Sequence, residues 1–240
     1  MLPRTSYLIC ATPRSGSFLL CEALKTTGLA GYPEEYFWHN QRIWQERWEN
    51  APYEDYLAWV FERGTTPNGV FGAKVMRNYF HDFVNKLQNI LAHAQLTPPI
   101  LLATVFPDLR YIWITRRDKV RQAISHWKAI QTQIWAVNKS EEPIPAKEPV
   151  FDYHVINSLV QEIEEHEAAW QHYFDANGIQ PFTVVYEDFV HTYYETALYI
   201  LRYLNISYPE NLVFAERRMK QQADALSEEW VQRYYQLQDR

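Results

Sequence analysis

Residues 7–27 read Tyr-Leu-Ile-Cys-Ala-Thr-Pro-Arg-Ser-Gly-Ser-Phe-Leu-Leu-Cys-Glu-Ala-Leu-Lys-Thr-Thr, and this stretch predicts how the chain is organised. Its first five residues are apolar and lack helical periodicity, which is typical of a strand buried on both faces. Apolar side chains then recur at helical spacing, at positions 18, 19, 23 and 24. We therefore predict a strand, a tight loop and a helix, in that order.

The loop between the predicted strand and helix has the composition of an anion-binding loop. Gly16 lies between two serines, so several backbone N–H groups can point at a phosphate or sulfate. The helix N-terminus that follows also favours negative charge, and Arg14 adds a charged donor. An ordinary strand-to-helix turn is the alternative. The residues predicted to form the anion site are Pro13, Arg14, Ser15, Gly16, Ser17 and Phe18.

This loop differs from the phosphate loop of nucleoside triphosphatases at two positions. When Gly16 is aligned with the last glycine of G-x-x-x-x-G-K-[ST], Ser17 replaces the lysine and Phe18 replaces the magnesium-binding hydroxyl. Magnesium-dependent hydrolysis of a nucleoside triphosphate is therefore not predicted.

Composition and charge limit the functions open to this chain of 240 residues. Its length suits a single α/β domain, residues 1–240. Because 23 Lys and Arg face 29 Asp and Glu, the net charge is -6, and no nucleic-acid partner is expected. No leader and no transmembrane segment can be recognised, which favours a cytoplasmic protein. Cys10 and Cys21 fall within apolar runs, which favours buried free thiols over a disulfide or a metal site.

Several blocks of the sequence carry a family resemblance. Thr-Pro-Arg-Ser-Gly-Ser at residues 12–17 resembles the 5′-phosphosulfate loop of sulfotransferases, which transfer a sulfuryl group without a metal. Residues 28–37, Gly-Leu-Ala-Gly-Tyr-Pro-Glu-Glu-Tyr-Phe, are similar to the next segment of the bacterial trehalose 2-sulfotransferase family. Gly-Ala-Lys-Val-Met at residues 72–76 resembles that family's Gly-Gly-Lys-Leu-Met, and residues 217–234 resemble its tail. With residues 116–125, Arg-Arg-Asp-Lys-Val-Arg-Gln-Ala-Ile-Ser, five separated blocks carry the resemblance, which spans nearly the whole chain from Tyr7 to Tyr234.

The resemblance assigns the acceptor side of the site. Glu35 matches the family's catalytic glutamate, and a carboxylate among aromatic rings suits a general base. His39 is the rival base, because many animal cytosolic sulfotransferases use histidine. Lys74, together with Arg14, would stabilise charge on the transferring group, whereas a lysine on an outer strand edge is the alternative. Tyr32 stands where the family has a further acid, which argues against trehalose itself as the acceptor.

The nucleotide side is predicted around another strand, residues 111–115. Two arginines follow it, and Asp118 then suits the N-cap of an amphipathic helix. Sulfotransferases bind the nucleotide 3′-phosphate with an arginine and a serine in this layout, and Ser125 matches the serine. Alignment with the trehalose enzymes favours Arg116 as the ligand, whereas counting back from Ser125 favours Arg117; we keep both and prefer Arg116. A basic cluster that only balances the helix cap is the alternative.

Later segments complete the predicted site. Tyr-Glu-Asp-Phe at residues 186–189 resembles a sulfotransferase motif in which the tyrosine, here Tyr186, lies against adenine. Residues 137–149 are predicted to be a surface loop or lid. Residues 209–240 are predicted to close over the nucleotide and to include a helix, with Arg218 and Lys220 as candidate ligands.

The aromatic residues of 36–61 allow two interpretations. Sugar rings stack on such faces, but several of these rings recur at helical spacing, which favours a place in the core.

Taken as a whole, the resemblance implies an α/β, P-loop-like sulfotransferase fold with a mostly parallel sheet and helices on both faces. It implies 3′-phosphoadenosine 5′-phosphosulfate as the donor, no metal, and a carbohydrate, glycolipid or other small alcohol as the acceptor. It also implies a homodimer. The alternatives are a nucleotide-binding protein without transfer activity and a small-molecule kinase, which would require magnesium and ATP.

Overall fold

A parallel sheet forms the centre of the protein. The computed structural model describes residues 2–38, 47–48, 50–90, 96–137, 140, 144–219 and 224–238. Within these ranges, four parallel strands pair in the order β2-β1-β3-β4. Their bounds are Thr5–Ala11 for β1, Val70–Met76 for β2, Leu109–Thr115 for β3 and Phe182–Val185 for β4. The parallel sheet of an α/β fold is therefore confirmed.

The described helices connect these strands. In chain order they are α1 (Ser17–Lys25), α2 (Tyr53–Gly64), α3 (Arg77–Ile90), α4 (Pro98–Val105), α5 (Lys119–Thr132), α6 (Tyr153–Ala176), α7 (Tyr186–Phe189), α8 (Tyr193–Tyr203) and α9 (Ala225–Gln238). The β1-to-β2 and β2-to-β3 connections run in opposite directions across the sheet, and right-handed crossovers then place their helices on opposite faces. Accordingly, α1 contacts α8, whereas α3 contacts α6.

The strand order creates a switch point beside β1. The chain leaves β1 toward β2 on one side and later returns to pair β3 on the other. Ala11 pairs with Met76 and Cys10 with Trp113, so the loops after these strands emerge at one edge of the sheet. Ligands of open α/β sheets bind in the crevice that such a reversal opens.

Details of the elements test the sequence predictions. Asp118 caps α5, as predicted, by accepting a hydrogen bond from the backbone N–H of Arg121. The short helix α7 begins at Tyr186, directly after β4 ends at Val185. Cys10 and Cys21 are buried free thiols, which confirms that prediction. None of the described helices has the length and apolar character that a membrane crossing requires.

Candidate active site

The loop after β1 leaves the N-terminus of α1 open to an anion. Arg14 has φ 63° and Gly16 has φ 94°, so the chain reverses twice within three residues. Gly16 is the N-cap of α1, no side chain caps the helix, and its first turn contains no acidic residue. Ser15 and Ser17 are buried, and the Ser15 hydroxyl has no hydrogen-bond partner among the described residues. The free N–H groups of the first helical turn are thus available to a ligand.

Both the backbone conformation at position 16 and the adjacent ring of Tyr186 require a glycine there. Its positive φ is a conformation that side chains with a Cβ rarely adopt. A Cβ at this position would lie 2.3 Å from Cδ2 of Tyr186, because the tyrosine ring covers the loop. The same contact places Tyr186 beside the anion loop.

Two buried side chains that sequence analysis missed hold the loop in place. Nε2 of Gln122, on α5, donates to Oγ1 of Thr12 at 2.9 Å and to the carbonyl oxygen of Pro13 at 2.7 Å. Nε1 of Trp170, on α6, donates to the carbonyl oxygen of Ala11 at 3.0 Å. Gln122 is fully buried although it does not belong to the apolar stripe of α5, so the sequence offered no signal for it.

The first cavity opens in front of this loop and is rich in arginine. It encloses about 110 Å³ and reaches about 840 Å³ when its open mouth is included. Four arginines line it, and Glu228, the only carboxylate among its described lining residues, forms an ion pair with one of them at 2.5 Å. The polar and aromatic lining consists of Arg14, Ser17, Phe18, Arg116, Arg121, Ser125, Trp135, Tyr186, Arg217, Ser227 and Glu228. Such an excess of guanidinium groups suits a ligand with several negative charges.

Arg14 and Ser125, two of the candidate donor-binding residues, are in contact in the wall of the first cavity. Nε of Arg14 donates to Oγ of Ser125 at 3.0 Å, and its guanidinium also donates to the carbonyl oxygen of Trp135. Burial, followed by the positive charge of Arg116, lowers the pKa of Arg14 to about 10. The group therefore stays protonated at neutral pH, and an anion between the two arginines would offset their repulsion.

The two arginines after β3 have different positions. Arg116 is 13% exposed at its side chain, lines the first cavity and places its guanidinium 4.8 Å from the ring centroid of Tyr186. Its Nε is buried without a hydrogen-bond partner among the described residues, and lies 3.8 Å from a carboxylate oxygen of Glu187. Arg117 is 59% exposed, pairs with Asp188 and does not line the cavity. The preference for Arg116 thus agrees with the geometry.

The C-terminal segment forms one wall of the first cavity, but with a different arginine from the one predicted. Arg217 lines the cavity, and its guanidinium lies 5.5 Å from the ring centroid of Tyr193. Arg218 does not line it; its backbone N–H donates to the Glu22 carboxylate at 2.7 Å. Lys220, the other predicted ligand, lies outside the described residues.

The second cavity is larger and mainly aromatic. Its volume is about 700 Å³, and Phe18 belongs to its wall as well as to that of the first cavity. The lining consists of Phe18, Lys25, Tyr32, Glu34, Glu35, Tyr36, Trp38, Trp48, Tyr56, Trp59 and Arg63. The prediction that the rings of this region belong to the core was thus incomplete, because several of them also present a face to this cavity.

Glu35 and Lys74 form an ion pair where the two cavities meet. Nζ of Lys74 lies 2.7 Å from Oε2 of Glu35 and 3.5 Å from the ring centroid of Phe18. Lys74 is 1% exposed, which excludes a side chain that faces solvent. Its backbone N–H donates to the carbonyl oxygen of Glu34 at 2.8 Å, which fixes this segment against β2. Burial, followed by the charge of Glu35, raises the pKa of Tyr79 well above its usual value and keeps that hydroxyl protonated.

Two residues near Glu35 in the sequence, Glu34 and Tyr32, are more exposed to solvent. Glu34 is 52% exposed at its side chain and pairs with Lys25 of α1. Tyr32 is 42% exposed and lies in the wall of the second cavity. His39, the rival base, lies outside the described residues.

The parallel sheet, the anion loop at its switch point and the arginine-rich cavity are features of α/β proteins that bind phosphorylated ligands. The chain belongs to the Stf0 sulphotransferase family, whose model matches residues 6–237. The family resemblance found in the sequence is therefore confirmed.

Two curated relatives agree with this assignment. The chain is 30% identical to the trehalose 2-sulfotransferase of Mycolicibacterium smegmatis, over 96% of this chain and 94% of that protein. It is 29% identical to the trehalose 2-sulfotransferase of Mycobacterium tuberculosis, over 95% and 93%. A solved sulfotransferase domain from the Synechococcus PCC 7002 olefin synthase has a TM-score of 0.45 and 17% identity, covering 90% of this chain and 79% of that one.

Proposed function

We propose that the protein transfers a sulfuryl group from 3′-phosphoadenosine 5′-phosphosulfate to a hydroxyl of a carbohydrate, glycolipid or other small alcohol. Glu35 is the general base in this proposal, and no metal takes part. The two trehalose 2-sulfotransferases with which the chain aligns over most of its length support this class of reaction and a sugar acceptor.

The observation that carries the proposal is the junction of the two cavities. One is lined by arginines and the other by aromatic rings, and Phe18 belongs to both walls. The Glu35–Lys74 ion pair lies at this junction. A donor in the first cavity and an acceptor in the second would therefore present their reacting atoms next to a carboxylate and an ammonium group.

The first cavity fits an adenosine bisphosphate with a sulfated end. Buried Nε atoms of Arg116 and Arg217 and the buried hydroxyl of Ser15 have no hydrogen-bond partner among the described residues, which suits anionic oxygens as their partners. We assign the 3′-phosphate to Arg116 and Ser125, the 5′-phosphosulfate to the anion loop with Arg14, and the adenine to the ring of Tyr186. The bound donor supplies the activated sulfuryl group.

The second cavity fits an alcohol that offers both polar and apolar surface. Sugar rings present C–H faces to aromatic rings, and the tyrosine and tryptophan side chains of this cavity provide such faces. Glu35 accepts the hydroxyl proton while the acceptor oxygen forms a bond to sulfur and the bond from sulfur to the phosphate oxygen breaks. Lys74, Arg14 and the N–H groups of the anion loop stabilise the negative charge on the sulfuryl and leaving oxygens.

A transfer assay with matched carboxamide variants tests the role of Glu35. The purified protein is incubated with the donor and a panel of sugars and glycolipids, and sulfated products are detected by mass spectrometry. Glu35→Gln should reduce transfer by about 10²–10⁴-fold while nucleotide affinity changes little, because a positioned general base is lost. Glu34→Gln, which alters the more exposed carboxylate of the same cavity, should retain activity within about fivefold.

Two outcomes would contradict the proposal. Full activity of Glu35→Gln would exclude Glu35 as the base. Phosphorylated products from magnesium and ATP, without sulfated products from the sulfated donor, would replace the proposed reaction with that of a kinase.

A further inference from the structure

Two arginines lie against Trp59, a wall residue of the second cavity, and one of them, Arg63, lines the cavity itself. The guanidinium carbons of Arg47 and Arg63 lie 5.9 Å and 5.7 Å from the ring centroid of Trp59. Arg47 also lies 5.1 Å from the ring centroid of Trp48. Stacking on an indole restrains a guanidinium and leaves its N–H edge free to bind a ligand.

The other charges of this cavity are balanced in pairs. Glu35 pairs with Lys74, and Glu34 pairs with Lys25. Within the part of the chain that the structure describes, Arg63 forms no ion pair. Among the residues that the structure describes, the second cavity therefore has an unbalanced positive charge at Arg63, beside Trp59.

This positive wall is continuous with the proposed reaction centre. The ring of Tyr36, the residue that follows Glu35, lies 6.3 Å from the ring of Trp59. The charges of Glu34 and Arg63 both act on the pKa of Tyr36, which burial raises above its usual value. Tyr36 thus lies between the carboxylate side and the arginine side of one cavity.

We propose that the acceptor carries an anionic group, a carboxylate, phosphate or sulfate, which binds Arg63 while a hydroxyl of the same molecule reaches Glu35. This inference rests on the proposed sulfotransferase function and narrows its acceptor class to anionic sugars. The anion forms charge-assisted hydrogen bonds with the Arg63 guanidinium, and the charge of Arg47 against the same tryptophan adds to the attraction. The sugar ring then lies against the aromatic side chains between the two anchor points.

Direct binding of matched sugars tests this inference without requiring turnover. Saturation-transfer difference NMR at low salt would compare methyl α-glucoside with its uronate, 6-phosphate and 6-sulfate counterparts. Each anionic sugar that fits should bind at least about tenfold more tightly than the neutral glucoside, which is the effect of one charge-assisted hydrogen bond. Comparison of the uronate, the 6-phosphate and the 6-sulfate shows which anionic group the site at Arg63 binds.

Arginine variants test whether Arg63 causes the preference for anionic sugars. Arg63→Gln should remove most of the preference for anionic sugars, Arg63→Lys should restore part of it, and binding of the neutral glucoside should change by less than about twofold. Arg202→Gln is the matched control, because Arg202 also lies over an aromatic ring, 5.6 Å from the centroid of Tyr199, but lines neither cavity.

The outcomes separate this inference from the proposed function. Equal binding of neutral and anionic sugars, or a preference that survives in the Arg47→Gln/Arg63→Gln double variant, would overturn the anionic acceptor. If neutral sugars are sulfated as efficiently as anionic ones, the sulfotransferase stands and the inference fails. If the anionic preference depends on Arg63 but no sugar is sulfated, the anion site stands and the proposed reaction fails.

Discussion

Replacing Gly16 with alanine should weaken nucleotide binding as well as destabilise the fold. The added Cβ would lie 2.3 Å from the ring of Tyr186, far inside van der Waals contact. Because the glycine has φ 94°, the backbone of the variant is strained as well. Either the Tyr186 ring moves away from the loop, or the loop itself changes conformation.

The two contributions can be estimated separately. The backbone strain is about 1–2 kcal/mol for a residue with a Cβ in the left-handed region. Displacement of the Tyr186 ring also removes its contact with the Arg116 guanidinium, 4.8 Å from the ring centroid, which contributes about 0.5–2 kcal/mol. If the same ring stacks on adenine, its displacement also removes about 1–3 kcal/mol of binding free energy. This loss raises the dissociation constant of the nucleotide roughly 5- to 150-fold.

Gly178→Ala is the matched control for the backbone contribution. Gly178 also has a positive φ, 62°, but a Cβ there meets no atom within 4 Å. Urea unfolding should show a loss of about 1–2 kcal/mol in both variants and a somewhat larger loss in Gly16→Ala. Calorimetric titration with 3′,5′-phosphoadenosine should show weaker binding in Gly16→Ala alone. Wild-type affinity in Gly16→Ala would refute the assignment of the loop and Tyr186 to the nucleotide.

Further substitutions test other parts of the site. Arg116→Gln should weaken binding of 3′,5′-phosphoadenosine by at least about tenfold in calorimetry, whereas exposed Arg117→Gln should have less than a twofold effect; equal effects would contradict the assignment. Gln122→Met, which removes two hydrogen bonds to the anion loop, should lower the free energy of unfolding in urea by about 1–3 kcal/mol, and an unchanged value would exclude this positioning role. Burial lowers the pKa of His126 to about 4. His126 therefore takes up a proton more readily in the unfolded chain than in the folded protein. Because of this difference, the free energy of unfolding should fall by up to about 3 kcal/mol as the pH drops from about 6.5 to 4. His126→Gln should flatten that slope, and an identical slope in the variant would exclude His126 as its source.

The local features of the fold could be predicted from the sequence. Strand β1 contains the apolar run of residues 7–11 from which it was predicted, and the loop before α1 lies where the small residues around Gly16 place it. Asp118 caps α5 as expected. These features depend on neighbours in the chain, so periodicity and turn residues are sufficient to find them.

Contacts between distant segments could not be predicted in this way. Gln122 binds Thr12, 110 positions earlier, and only the packing of α5 against the loop brings the two together. Arg217 and Arg218 have the same chemistry, but hydrogen bonds from residues 218 and 219 to Glu22 orient this segment so that Arg217 lines the cavity. A single helical pattern likewise cannot show whether Trp59 faces the core, a cavity or both.

The most direct test of the central claim is a calorimetric titration of the purified protein with 3′,5′-phosphoadenosine, with AMP and with ATP plus magnesium. The account predicts tight, magnesium-independent binding of the bisphosphate, weaker binding of AMP, and no preference for ATP with magnesium. Failure to bind the bisphosphate, or a preference for ATP with magnesium, would contradict the assignment of the arginine-rich cavity to the sulfuryl donor.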